Sequence, residues 1–459
     1  MLKMKRLAIG FFVFSLSTSA FGMGRKSPPS NSQDTGLVDT MTKAYEKRAQ
    51  NGLLSGASIG VFGPQDLEVP LKLTFGEARS SRDRFEIGSI SKSFTGILLS
   101  KLILEGKISL DAPIENIIPE LKGSFAGSVS AHLLATHSAR LVDDTSGEEI
   151  FREADLINYL KGYKPGLDRP AGERHYSNLG FMTLSLLISR TTGDSFVNGI
   201  KAQIFKPLQM TGSGYLNKKN VFRRILQPHT DLLEITSYDF LLDLADATGG
   251  IFSNLDDMSK FLRANLYPQT APTLTEAILF SQKLGLGWDS DPGASVLWKN
   301  GAMTGFGSMI RLSPITHSGA VVLCNSRCTL SASALATIAM GGADQFKADL
   351  PLSDDLKSSV VGTYLDSTGK YAVDVLETSA GFLGLHFHKA SVSSYYSLRL
   401  RRLGENKFSV YDGIGATSND FVEFGIEAAT GKKQVQYFEM TSTDSSGNPV
   451  FSETVFTGN

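Results

Sequence analysis

The spacing of apolar and polar positions changes several times along the chain. Val38, Met41, Ala44 and Tyr45 recur at helical spacing and predict a first amphipathic helix. Ala57 to Phe62 and Leu71 to Phe75 are short apolar runs with a Gly63-Pro64 turn between them, the pattern of two strands. Helical spacing returns from Ser89 to Glu105, with Phe94, Ile97, Leu98 and Leu102 on one side and Gly106 as a stop signal. From about Leu110 to Asn265 the chain reads as helical segments and loops, and strand patterns resume in SVLWKNG, GSMIRL and GAVVLC. Strands at both ends of a helical stretch predict one antiparallel sheet, closed by the two ends of the domain and carrying a helical insertion.

After about Leu350 the pattern becomes short alternating runs: VVGTYL, YAVDVLE, FLGLHFH, YSLRLRR, KFSVYD, FVEFGIE, KQVQYFEM and VFSETVF. Eight strands separated by Gly, Asp, Ser and Asn turns predict a small antiparallel barrel or sandwich. A boundary is placed near Pro351. The expected fold class is therefore α+β, an antiparallel sheet flanked by helices with a helical subdomain, plus a C-terminal β domain.

The first residues carry an export pattern. Lys3, Lys5 and Arg6 precede the apolar run Leu7 to Leu16, and Thr18, Ser19 and Ala20 are small. The run is short for a bilayer span, so cleavage near Ala20 or Gly22 is favoured over an anchor. The expected organisation is a signal peptide over 1–22, a disordered polar linker over 23–36, a first domain over 37–350 and a β domain over 351–459. The expected location is periplasmic or secreted, without stable membrane insertion.

Lys+Arg 45 against Asp+Glu 46 leaves a net charge of -1, which gives no basic excess for nucleic acid or an anionic membrane. Only Cys324 and Cys328 occur. Two free thiols and one short bridge remain equally open, the bridge requiring a turn. They cannot build a cysteine-based metal site. His386 and His388 alternate with Leu383, Leu385 and Phe387, so they are expected to face solvent. His132 and His137 lack a third ligand at metal spacing, and His175 reads as packing. No metal or cofactor is expected.

Ser89 opens the second helix, and Lys92 stands three residues on, one turn along the same face. A serine hydroxyl is a poor nucleophile until a base takes its proton, and a helix start offers free N–H groups to an oxyanion. Ser-x-x-Lys alone is weak, because Ser367 and Lys370 repeat it in an expected hairpin turn. Tyr176-Ser177-Asn178 and Lys299-Asn300-Gly301 have their own duplicates in Tyr215-Leu216-Asn217 and Lys283-Leu284-Gly285. Singly, Ser89 reads as an N-cap, Tyr176 as packing and Lys299 as a surface lysine. Jointly, in this order, those readings lose ground. Gly56-Ala57-Ser58-Ile59-Gly60 matches a G-x-S-x-G elbow, but a helix precedes it and a strand follows, so Ser58 reads as a strand residue.

These ordered elements resemble the serine β-lactamase and penicillin-binding protein superfamily, in its class C β-lactamase and D-alanyl-D-alanine carboxypeptidase/endopeptidase branch. The likeness runs from about Leu37 to Ser326 through FEIGSISKSFTG, EGKISLDAPI, HLLATHSARL, RPAGERHYSNLGF, IFKPLQMTGSGY, DATGGIFSNLDDMSKFL, LGLGW and KNGAMTGFGS. The resemblance implies Ser89 as nucleophile, Lys92 sharing its proton, and Tyr176 as the general base, or part of the base, and the proton donor to the leaving group. Two neighbouring ammonium groups are expected to pull the Tyr176 phenol down. The resemblance also implies that Asn178 holds Lys92 and substrate amide. Lys299, with Asn300 and Gly301, would meet a substrate carboxylate, and the N–H groups of Ser89 and Ala302 would form an oxyanion hole. The chain departs from the family at Lys-Asn-Gly in place of Lys-Thr-Gly, and at Ala139-Arg140 where Ser-Gly is frequent. The implied substrates are small molecules or peptides, muropeptides ending in D-alanine or β-lactams. The implied activity is a DD-carboxypeptidase/endopeptidase, with a β-lactamase, an esterase or D-aminopeptidase, or a non-turning-over sensor as alternatives.

Overall fold

The computed structural model describes residues 32–63, 70–143, 152–167, 169–216, 225–230, 232–239, 243–290, 295–346, 352–368, 371–378, 381, 383–389, 392–402, 407–411, 421–426, 432–443 and 449–458. The expected signal peptide, the boundary at Pro351, Lys370 and the His386 and His388 side chains lie outside them. A helix spans Ser32–Gln50 and so begins inside the segment expected to be a disordered linker. Its Val38, Met41, Ala44 and Tyr45 are buried, as the spacing requires.

Strands β1 (Gly56–Phe62), β2 (Leu71–Gly76), β6 (Asp289–Ser290), β7 (Leu297–Met303), β8 (Phe306–Ser313) and β9 (Ser318–Cys324) form one antiparallel sheet in the order β2-β1-β9-β8-β7-β6. The first strand therefore lies beside the last, with Ala57 opposite Cys324 and Phe62 opposite Gly319. A helical insertion lies between β2 and β6, as expected. It also carries the small sheet of β3 (Arg84–Glu86), β4 (Gly214–Tyr215) and β5 (Ile251–Asn254).

Pleating divides the core in two. Ala57, Ile59 and Val61 face a cluster with Met41, Tyr45 and Leu335 of the terminal helices. Ile310, Leu312, Val321 and Leu323 face the larger cluster built on the insertion. The helix Ser91–Leu104 runs through that second cluster. Leu99 is buried along with Phe94, Ile97, Leu98 and Leu102, so this helix is covered nearly all round and not on one side alone. Phe94 stacks on Phe261 with ring centroids 3.9 Å apart. Each such fully buried side chain contributes about 1.5–3 kcal/mol, which makes the helix a rigid platform.

Eight strands follow: β10 (Gly362–Asp366), β11 (Tyr371–Glu377), β12 (Leu383–Lys389), β13 (Val392–Arg402), β14 (Lys407–Tyr411), β15 (Phe421–Ile426), β16 (Lys433–Thr443) and β17 (Pro449–Gly458). They pair in sequence order, and β17 closes on β10, so the C-terminal part is a barrel. Val373, Val375, Leu385, Leu400, Phe408 and Val422 fill it. Ser58 is a buried strand residue of β1, as read from the sequence. Cys324 and Cys328 are both buried, and no disulfide joins them. Among the described residues no helix is long and apolar enough to cross a membrane, and no three His, Cys, Asp or Glu side chains gather as a metal site.

Candidate active site

Ser89 lies in a tight turn, Gly88–Ile90, just ahead of the helix Ser91–Leu104. The expected helix start at Ser89 is thus displaced by one short turn. Gly88 has φ 51°, a left-handed conformation that a side chain disfavours. The turn also presses on β7. A Cβ on Gly88 would lie 2.8 Å from Ala302 N, and one on Gly301 would lie 2.0 Å from Ile87 O. Two glycines facing each other therefore let the strand carrying Lys299 and Ala302 approach the serine turn. Ser308 Oγ donates to Ile87 O at 2.8 Å and fixes that approach.

Ser89 Oγ is 2.7 Å from Tyr176 OH and 3.0 Å from Lys92 Nζ. Ser89 and Tyr176 are partly exposed, whereas Lys92 is fully buried. Lys92 Nζ also donates to Asn178 Oδ1 and to Thr248 O, both at 2.7 Å. Asn178 opens the helix Asn178–Thr192, and its Nδ2 donates to Asp143 Oδ1 at 2.9 Å, which orients its oxygen toward Lys92. Ser177 caps that helix by accepting from Gly180 N at 2.9 Å. Lys299 Nζ lies 5.0 Å from the Tyr176 ring centroid and donates to Asp289 Oδ2 at 2.8 Å.

The structure thus brings Ser89, Lys92, Tyr176, Asn178 and Lys299 into one cluster, with Gly301 and Ala302 against the serine turn. Asn300 stands apart from Lys299. It pairs with Met309 and Lys299 with Ile310, and pleating sends neighbouring side chains to opposite faces. The duplicates fall elsewhere: Tyr215 is buried in β4, and Gly285 caps the helix Thr275–Leu284.

Burial and the neighbouring Lys299 charge push the Lys92 amine well below its ordinary value. The expected direction for Tyr176 is reversed. Burial raises its phenol above the ordinary value, and Asp143 and Asp289 add to the rise, outweighing the hydrogen bond to Ser89 and the Arg174 charge. Two lysines beside a phenol were a sound reason for a fall, but packing around the ring and two nearby carboxylates overturn it. Burial, with Lys299 and Lys92 beside it, likewise lowers His137, keeping its ring neutral. That ring lies 4.4 Å from the Tyr176 ring, and its Nδ1 accepts from Ser177 N at 3.1 Å.

Sequence reasoning missed His137, Asp143, Thr248, Asp289 and Arg174. Thr248 acts through its carbonyl, which no side-chain pattern reveals. Asp289 directly follows the quoted LGLGW segment, the only signal available. At Arg140 the backbone has φ 60°, which accounts for the glycine often found there in the family. Arg140 holds it with a carbonyl that accepts from Tyr163 OH at 2.8 Å.

The fold resembles solved class C β-lactamases. One shares a TM-score of 0.61 at 22% identity, covering 70% of this chain and 99% of the other. Another, in complex with cefoxitin, shares 0.59 at 21% identity, covering 67% and 99%. Protein flp of Staphylococcus aureus strain N315 is 25% identical over 316 residues. That match takes in 62% of each chain, so this chain spans under two thirds of that relative. A beta-lactamase of Yersinia enterocolitica is 25% identical over 337 residues, 62% of this chain and 85% of the other. The Beta-lactamase family model matches residues 49–343, a stretch that holds the whole sheet and every residue of the cluster, and the chain belongs to the beta-lactamase family.

Proposed function

We propose that this chain is an exported serine hydrolase in which Ser89 forms a covalent ester with the acyl group of its substrate. The observation that carries this reading is the Ser89 hydroxyl, held 2.7 Å from Tyr176 OH and 3.0 Å from Lys92 Nζ on a residue that stays partly exposed. A neutral Lys92 amine has two N–H donors, and Thr248 O and Asn178 Oδ1 take both. Its lone pair is then left for the Ser89 proton. Burial, by depressing the amine's pKa, favours that neutral form.

In the acylation step Ser89 Oγ bonds to the acyl carbon while its proton passes to Lys92. The oxyanion meets the N–H groups of Ser89 and Ala302. Tyr176, kept as a phenol, gives its proton to the departing nitrogen as the acyl bond breaks, and the Lys92 ammonium replaces it. Water then attacks the ester by the reverse transfers.

Peptides ending in D-Ala-D-Ala are the favoured substrates, on the likeness of the motifs to the carboxypeptidase branch and on the appended barrel. A β-lactamase is the second reading, favoured by the class C fold and by the Yersinia relative. Export rests on the pattern of residues 1–22. The test incubates purified protein with a penicillin and with D-Ala-D-Ala muropeptides, following intact mass and free D-alanine. A Ser89 adduct lasting minutes together with D-alanine release supports the first reading. Rapid penicillin turnover without D-alanine supports the second. No adduct and no turnover would refute the hydrolase reading.

A further inference from the structure

We infer that Arg174, and not Lys299, binds the carboxylate of the substrate in this chain. The inference rests on the acyl-hydrolase reading above. Lys299 is fully buried, and one of its donors goes to Asp289 Oδ2 at 2.8 Å. Arg174 donates from its terminal nitrogen to the other oxygen of the same carboxylate, Asp289 Oδ1. Its side chain keeps 49% of its surface in solvent, against 9% for Asp289 and 1% for Lys299. One carboxylate therefore lies between two cations. The trio carries an excess positive charge, and its accessible part is the guanidinium.

Position and chemistry agree with that role. Arg174 precedes Tyr176 by two residues and shares Asp289 with Lys299, whose Nζ lies 5.0 Å from the Tyr176 ring centroid, so it stands beside the cluster. His175 N donates to His137 O at 2.8 Å, which anchors the segment. A guanidinium presents five N–H donors in a planar fork, and Asp289 uses one nitrogen, leaving donors suited to a second carboxylate. An arginine is also less costly to desolvate than a lysine at such a contact. Asn300, on the face opposite Lys299, is not placed to share a carboxylate with that amine. Asp289 then has two tasks: it compensates the buried lysine and holds the exposed arginine in place.

The experiment compares Ser89 acylation rates for benzylpenicillin and its methyl ester, which differ in the carboxylate alone. Wild type, Arg174→Gln and Arg174→Lys are measured by intact mass, with p-nitrophenyl acetate as a neutral acyl donor reporting Ser89 competence. The acid-over-ester ratio is expected to fall about ten- to a hundredfold in Arg174→Gln, the range for a hydrogen-bonded charged contact. Arg174→Lys should recover part of the ratio. A ratio unchanged in both variants would overturn the inference. So would an equal fall for acid and ester, which would make Arg174 a structural support. Failure of all three reagents to acylate the wild-type Ser89 would overturn the hydrolase reading together with this one.

Discussion

Asp289 and Lys299 lock together across the β6–β7 hairpin, Oδ2 to Nζ at 2.8 Å, with only 9% and 1% of their side-chain surfaces in solvent. Such a pair is weak evidence for stability when formed, because both charges are desolvated. Breaking it on one side is different, since the remaining charge is left buried. Asp289→Asn keeps the volume and removes the counter-charge. It should lower unfolding free energy by about 3–5 kcal/mol, read from urea titrations. A loss below about 1 kcal/mol would mean that water or Tyr176 already compensates Lys299.

Gly301 tests the contact between strand and nucleophile. A Cβ there would lie 2.0 Å from the Ile87 backbone oxygen and 2.5 Å from Ser308 Oγ. Gly301→Ala must push β7 away from the Ser89 turn, at a cost of about 1–3 kcal/mol. Separating Ala302 from Ser89 should slow Ser89 acylation at least about tenfold, in the range of a lost oxyanion donor. Gly162→Ala is the control, because nothing lies within 4 Å of its Cβ position. Equal acylation rates in the two variants would show that the spacing does not limit the reaction.

His229 gives a pH-dependent contribution to stability. Its Nε2 is 3.1 Å from Glu77 Oε2, and its Nδ1 is 3.3 Å from Leu233 O. The hydrogen bond to Glu77 raises His229 above its ordinary 6.5, and the same bond lowers Glu77 below its ordinary 4.5. A raised histidine stabilises fully below its unfolded value and loses that effect as pH rises through the folded value. A lowered carboxylate stabilises above its unfolded value and loses the effect as pH falls. The pair is therefore at full strength between 4.5 and 6.5. Glu77 is 44% exposed, so screening holds the effect below about 1 kcal/mol. The stability gap between wild type and His229→Gln should shrink from pH 6 to pH 9 (about half a unit inside the window and well beyond it). A constant gap would show that His229 acts by packing alone.

The barrel meets the rest of the chain near Leu232, which is buried. A Cβ on Gly384 would lie 2.6 Å from its Cδ1. The barrel interior is a cluster separate from the two that surround the main sheet. A chain ending at Phe346 should keep a cooperative melt and Ser89 labelling, with Leu232 newly exposed. Leu232→Ser should then raise its soluble yield. Loss of cooperative unfolding in both truncated forms would mean that the two parts fold as one unit.

The sequence by itself determined what local periodicity and short spacing can carry. Alternation at period two marked eight C-terminal strands, and the strand patterns at either end of the insertion marked the sheet. The three-residue step from Ser89 to Lys92 is within one turn of chain, so their meeting needed no tertiary information. The first helix was legible from Val38 to Tyr45, but its start at Ser32 was not, because its first residues are polar and have the composition of a linker. Tertiary structure alone decided the rest. The burial of Ser91–Leu104 on nearly every side depends on what packs against it from the insertion. The partnership of Asp289 with Lys299 and Arg174 joins a hairpin to a loop more than a hundred residues earlier. The direction of the Tyr176 shift followed from burial and from two carboxylates remote in sequence but near in space, and desolvation is a property of the assembled site that no motif contains.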